Sequence, residues 1–199
     1  MPGLLAIVVA YLLGGIPFGF LLVKLTRGAD VRESGSGNIG ATNVLRTTGP
    51  AAGVATLVLD IVKGFAAVWL AAELTGGAPE WTSLAALAVM AGHAYPLFLK
   101  FRGGKAVATF VGAFAYLTPL PLAAVLLLFA IAVVVTGYIS AASILAAITL
   151  PFGVWIILHP PVQVTAAAFI AGAFIVFRHK SNWVRLRAGK ENVFRWGRE

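Results

Sequence analysis

Fourteen of the chain's fifteen Lys and Arg residues fall into three short polar islands, residues 24–46, 100–105 and 178–198, and the sequence between them is almost entirely apolar. That segregation excludes a water-soluble globule. Soluble domains carry about 25% charged residues and about 45–50% apolar ones. Here the shares are 11% and 60%, and mean hydropathy is +0.93. No fold in water covers that much apolar surface, so the solvent for most of this chain is a bilayer. The net charge of +8 follows the same logic. Its basic residues flank apolar stretches instead of forming one soluble basic face, which points to anionic lipid headgroups and phosphorylated ligands and away from nucleic acid.

A membrane-spanning helix needs about 20 mainly apolar residues. Residues 4–23, 51–74, 81–99, 120–139 and 141–158 meet that length, and 162–177 falls slightly short. Residues 106–117 form only a dozen, closed by Thr118-Pro119 and Pro121, and read as a short buried span or a re-entrant element. Pro17 should kink the first span near its inner end. The first span has no basic region before it and no small-residue cleavage site after it, so it is expected to be retained. Orientation separates six spans from seven. The connections at 76–80, 118–119 and 159–161 hold no Lys or Arg, whereas 24–49, 100–105 and the tail from Arg178 hold nearly all of them. Cytoplasmic loops carry the Lys/Arg excess, and only seven spans put the basic tail there. The predicted class is all-α: a polytopic membrane protein of seven transmembrane helices in one domain over residues 1–199, N-terminus outside and C-terminus cytoplasmic.

Chemistry-bearing residues cluster in the islands. In the first, Gly35, Gly37 and Gly40 allow positive φ, so that N–H groups can converge on an anion. Ser36, Asn38 and Thr42 lie among them, and a helix from Ile39 would place Asn43 and Arg46 on one face. In the second, Gly103-Gly104-Lys105 opening a short helix has the logic of a phosphate cradle, amides plus a point charge. It lacks P-loop spacing. His93 stands shortly before it, near the inner end of its span. In the third, His179, Asn182 and Arg185 align at three-residue spacing if the segment is helical. Asp60 and Lys63 lie three apart inside the second span and so share a face; an internal ion pair and a direct substrate contact both fit them.

Other chemistries lack their residues. With no cysteine there is no disulfide, thiolate nucleophile or Cys-based metal site. No paired-carboxylate arrangement, H-E-x-x-H or G-x-S-x-G is present, no metal or cofactor site is expected, and His159 is assigned no role. The islands therefore offer many phosphate donors and few bases. A small transporter for a phosphorylated solute is the alternative, but no inverted repeat is detectable and every island falls on one side.

The order E-S-G-S-G-N-I-G-A-T-N-V-L-R-T-T-G, then G-H-A-Y-P-L-F-L-K-F-R-G-G-K-A-V-A-T, then R-H-K-S-N-W-V-R-L-R-A-G-K-E-N resembles the bacterial acyl-phosphate:glycerol-3-phosphate acyltransferase (PlsY) family across the whole chain. The resemblance implies a multi-pass inner-membrane enzyme with its active site facing the cytoplasm. It would move a fatty acyl group from acyl phosphate to glycerol 3-phosphate, giving lysophosphatidic acid and phosphate in the first step of phospholipid synthesis. Carried over by motif, the critical Ser and Arg of the first island fall on Ser36 and Arg46. Glycerol 3-phosphate binding falls on Gly103, Gly104 and Lys105, headed by His93. The third motif's His and Asn fall on His179 and Asn182, and its structural Glu on Glu191. Two positions depart from the family pattern: Ala106 where a third Gly is common, and Trp183 where Ile is usual. The proton acceptor stays open between His93, His179 and a substrate phosphate. A Ser36 acyl-enzyme would instead give ping-pong kinetics.

Overall fold

The computed structural model describes residues 1–194, and every regular element among them is helical. The chain divides into two compact units, Met1–Leu117 and Thr118–Glu199. The basic end of the third island, residues 195–198, lies outside the described residues.

The first unit opens with α1 (Pro2–Gly14) and α2 (Phe18–Arg27), which read as one 26-residue apolar stretch. The expected kink is a full break. Pro17 lacks an N–H and biases its predecessor away from helical geometry, and it sits at φ −91°, ψ 73°. A broken helix in hydrocarbon leaves backbone groups that no water satisfies. The carbonyl of Ile16 is met by the ammonium of Lys63 at 2.9 Å, which also lies 5.5 Å from the ring centroid of Phe18. Lys63 belongs to α4 (Pro50–Thr75), which follows the short α3 (Ala41–Thr48). Its other partner is Asp60 at 2.7 Å, with both side chains 3% exposed. The pair is internal.

The unit closes with α5 (Pro79–Ala94), a 3-10 turn at Leu97–Leu99 and α6 (Val107–Leu117). Small residues set the helix spacing. On α6 the place of a Gly112 side chain is filled by the Ile61 carbonyl, and on α4 that of Gly64 by the Thr109 carbonyl. Backbone therefore meets backbone, the packing mode of helices that cannot use water to drive association. The opposite faces carry Leu4, Val8 and Leu12 on α1 and Val54, Val58, Val62 and Trp69 on α4, all exposed. That is the pattern of helices whose outer surface meets lipid.

The second unit comprises α7 (Pro119–Thr136), α8 (Ile139–Gly153), α9 (Val162–Arg178) and α10 (Lys180–Arg187). Pro151 inside α8 removes a ladder donor, and the helix widens into a π turn at Val154–Leu158. Helices α9 and α10 meet at a 55° bend. Among the described residues, five stretches are long and apolar enough to cross a membrane, and the bent pair makes a sixth; α6 is a shorter apolar helix. The protein is an all-helical, multi-pass membrane protein.

Candidate active site

The first island folds around Asn43. This buried side chain on α3 accepts the Ser36 N–H at 2.8 Å and donates to the carbonyls of Val31, Ser34 and Asn38 at 3.2, 3.1 and 2.8 Å. Gly35 and Gly37 take positive φ (+59° and +69°) as expected. Gly40 does not: at φ −75°, ψ 160° it is extended and precedes α3. The expected convergence of amides on an anion also fails in its details. Ser36 N–H goes to Asn43, Gly37 N–H to the Ser34 carbonyl at 3.1 Å, and Gly40 N–H to Asn38 Oδ1 at 2.8 Å. These amides hold the loop together, so the reach toward a ligand falls to side chains. Ser36 and Arg46 are exposed, and Thr42 is half-buried. Asn43 and Arg46 do share α3, but only Arg46 faces outward.

The second island turns back on the end of α5. Gly103 N–H donates to the Ala94 carbonyl and Gly104 N–H to the His93 carbonyl, both at 3.1 Å. A helix C-terminus leaves four carbonyls without helical partners, and these amides meet two of them. They are therefore engaged with α5 and do not form the expected amide cradle; Lys105, half-buried, is the charged group the turn presents. The chain needs left-handed backbone to make this reversal, at Lys100 (φ +53°), Phe101 (+61°) and Ala106 (+62°). Ala106 is 1% exposed. A glycine at 106 would take that conformation without strain, whereas the alanine of this chain bears it.

Leu99 joins the two islands. It lies in one buried apolar cluster with Val23, Val31, Ile39 and Val44, flanked by Phe20 and Ala52. His93, 4% exposed, places Nδ1 3.6 Å from Asp60 Oδ1, within ion-pair range though longer than a hydrogen bond. Gly104 packs directly against its Nε2. Sequence reasoning missed this Asp60–His93 proximity, because no local spacing links residues on two different helices.

The third island belongs to the second unit. His179, buried at the α9–α10 bend, has Nδ1 2.8 Å from the Ile175 carbonyl. A carbonyl only accepts, so Nδ1 carries the hydrogen and, in the neutral ring, Nε2 keeps its lone pair. Glu191 gathers the rest of the motif. Its carboxylate accepts from Asn182 Nδ2 at 2.6 Å, Arg185 Nε at 2.7 Å and Ser140 Oγ at 3.1 Å. Burial raises the Glu191 pKa, but the hydrogen bonds from Arg185, Asn182 and Ser140 and the Arg185 charge outweigh it, holding the group below its usual 4.5. Among the described residues, no three His, Asp or Glu side chains are grouped to hold a metal ion.

Residues 4–189 match the family described as Glycerol-3-phosphate acyltransferase. The glycerol-3-phosphate acyltransferase of Desulforamulus reducens is 46% identical over 190 residues, 93% of this chain and 92% of that one. That of Geotalea daltonii is 46% identical over 190 residues, 95% and 96% of the two chains. Crystal structures of PlsY (YgiH), an integral membrane glycerol 3-phosphate acyltransferase, share the fold throughout. The glycerol 3-phosphate form superposes with a TM-score of 0.92 at 37% identity, covering 98% of this chain and 96% of that chain. The lysophosphatidic acid form gives 0.89 at 36%, with the same coverage. Motif order, helical architecture and whole-length similarity agree, and the chain belongs to the glycerol-3-phosphate acyltransferase family.

Proposed function

We propose that the protein transfers a fatty acyl group from an acyl phosphate to the sn-1 hydroxyl of glycerol 3-phosphate, releasing 1-acyl-glycerol 3-phosphate and inorganic phosphate. The observation that carries this reading is the whole-chain likeness to an acyltransferase crystallised in glycerol 3-phosphate and lysophosphatidic acid forms, an acceptor and its acylated product. The donor is the one that the family resemblance implies, and its chemistry is consistent with the residues present. An acyl phosphate is a mixed anhydride, so the acceptor oxygen attacks the acyl carbonyl directly, the bond between the acyl carbon and the bridging oxygen breaks, and phosphate departs with that oxygen and the electron pair. The acceptor's proton leaves to the departing phosphate or to a histidine Nε2. No covalent enzyme intermediate is needed; the protein aligns the reactants and neutralises two phosphates.

In this scheme Ser36, Arg46 and Lys105 meet phosphate oxygens, and His179 and Asn182 serve the same reaction. Asn38, Asn43 and the loop glycines act by shaping the turns that carry them. We place the protein in the bacterial inner membrane with seven spans, α6 counted among them, the N-terminus outside and the islands in the cytoplasm. The basic residues of the islands and the Lys/Arg-free connections between them support that orientation.

The test is an assay of purified protein with palmitoyl phosphate and glycerol 3-phosphate, following phosphate release and lipid product. Turnover with palmitoyl phosphate and none with palmitoyl-CoA is expected, since no island is large enough to enclose a nucleotide. Comparable kcat/KM for the two donors overturns the donor assignment. Topology is read by labelling a cysteine placed at Ala78 of this cysteine-free chain: reaction from the cytoplasmic side alone reverses the orientation.

A further inference from the structure

The mechanism above makes no use of Asp60 and Lys63, yet they are two charged side chains buried inside a span. An ion pair in that setting is costly unless its geometry is good, and polar groups retained there usually serve function. The pair here is linked at both ends. On one side the Lys63 ammonium closes the break in the first span through the Ile16 carbonyl at 2.9 Å. On the other, Asp60 Oδ1 stands 2.7 Å from Lys63 Nζ and 3.6 Å from His93 Nδ1. The opposite ring nitrogen of His93 abuts Gly104, and the His93 carbonyl accepts the Gly104 N–H at 3.1 Å. Lys105 is the next residue. A continuous column of polar groups thus runs from the α1–α2 break, through the buried pair and the imidazole, to the turn that presents Lys105.

We propose that Asp60 is a positioning residue for the acyltransfer reaction: acting through His93, it orients the imidazole on which the Gly103–Lys105 turn rests, with Lys63 balancing its charge. This rests on the functional reading above. At 3.6 Å the negative carboxylate favours a hydrogen on the facing Nδ1 by charge and not through a hydrogen bond, which leaves Nε2 as the face the turn packs against. On α1 the titratable group is Tyr11, whose hydroxyl donates to the Tyr95 carbonyl at 2.7 Å, and α6 carries no charged side chain. A Cβ at 104 would collide with the ring where it stands, so adding one would force the imidazole to move. The turn and the ring are fitted to each other, so a change in ring orientation is transmitted to Lys105.

Two readouts separate positioning from mere structural support. The first is the 15N NMR signature of His93 in the purified wild-type protein, assigned by its loss in His93→Gln. Nδ1 should be protonated in wild type, and Asp60→Asn should abolish that bias, giving a mixture of tautomers or Nε2–H. The second is kinetic. Asp60→Asn strands the Lys63 ammonium and risks misfolding, so Asp60→Asn combined with Lys63→Met removes both charges together. In that double variant KM for glycerol 3-phosphate should rise roughly tenfold while kcat falls by less than about threefold, the split expected when an interaction acts in binding the acceptor. A well-folded double variant with wild-type KM overturns the proposal, as does an unchanged His93 tautomer in Asp60→Asn. If wild-type protein does not acylate glycerol 3-phosphate at all, the functional reading fails, while the NMR result still decides whether Asp60 orients His93.

Discussion

The first and third islands solve one problem with opposite chemistry. Each needs an irregular segment held rigid beside apolar helices, and each does it with one side chain. In the first island that side chain is neutral: Asn43 accepts one N–H and donates to three carbonyls, all from its own neighbourhood in the chain. In the third it is charged: Glu191 draws in Ser140 from the start of α8 along with Asn182 and Arg185 of α10. A neutral hub answers many backbone groups at little desolvation cost and does not depend on pH. An anionic hub makes shorter, stronger bonds but works only while it is ionised. The difference also orders the two by stability, since hydrogen bonds to charged groups contribute about 1.5–3 kcal/mol and neutral ones about 0.5–1.5 kcal/mol.

The largest effect should come from Glu191→Ala. Removing the acceptor of three bonds, one of them from a guanidinium, should cost about 3 kcal/mol, lowering Tm by roughly 6–12 °C for a chain of this size, read by tryptophan fluorescence in detergent. Acid should produce the same loss in the wild type. Because the Glu191 pKa is lower folded than unfolded, its stabilisation is complete above the unfolded value and is lost as pH falls through the folded one. The gap in Tm between wild type and Glu191→Ala should therefore close on acidification, and a gap that persists unchanged means the carboxylate's charge is not what holds the segment.

Asn43→Ala comes next, at about 2 kcal/mol, from leaving buried loop groups without partners. Its Tm deficit should stay constant over the pH range in which that of Glu191→Ala closes, and a deficit that closes in the same way would erase the distinction between the hubs. The loop should also loosen around Ser36, with kcat/KM falling at least tenfold.

A smaller effect of opposite sign is expected from Ala106→Gly. Left-handed geometry costs a residue with a Cβ about 1–2 kcal/mol, and the greater unfolded-state freedom of glycine returns about 0.5–1 kcal/mol of that. The variant should be more stable by about 0.5–1 kcal/mol and fully active; a lower Tm would show that the Ala106 methyl packs well enough to outweigh the strain. Smallest of all is Asp30→Asn. The Arg32 guanidinium bonded to Asp30 holds its carboxyl below the usual 3.8, with a 2.6 Å ion pair at the surface. Solvent-facing pairs contribute about 0–1 kcal/mol, so Tm should change by no more than about 4 °C at ordinary salt. A loss comparable to Glu191→Ala would show that exposure does not separate the two carboxylates.

Much of this was legible in the chain. The apolar runs located the helices to within a few residues, and Pro17 marked the place where the first span is interrupted. The three motifs and their order were enough to place the chain in its family. Gly35 and Gly37 were rightly read as positions of positive φ, and Asp60 and Lys63 as sharing a face. What local reading misjudged was the use of the amides. Glycines beside serines and a lysine suggest N–H groups aimed outward at an anion, yet Ser36, Gly37, Gly40, Gly103 and Gly104 all direct theirs inward. The reason is general: in a loop pressed against apolar helices an unmet N–H is costly, and a nearby carbonyl or amide side chain meets it before any ligand does.

The sequence by itself determined the solvent, the helical class and the family, and it supplied the polar side chains proposed to handle phosphate, because each depends on composition, period or order along the chain. Tertiary structure alone decided which of those side chains reach outward and which are structural, that Lys63 closes the break left by Pro17, and that Asp60 stands at His93. Those pairings join residues on different helices, brought together by glycine-to-backbone packing such as Gly64 on Thr109 and Gly112 on Ile61. Spacing along the chain carries no record of such approaches, since they depend on how closely whole helices pack and not on any one helix's own pattern.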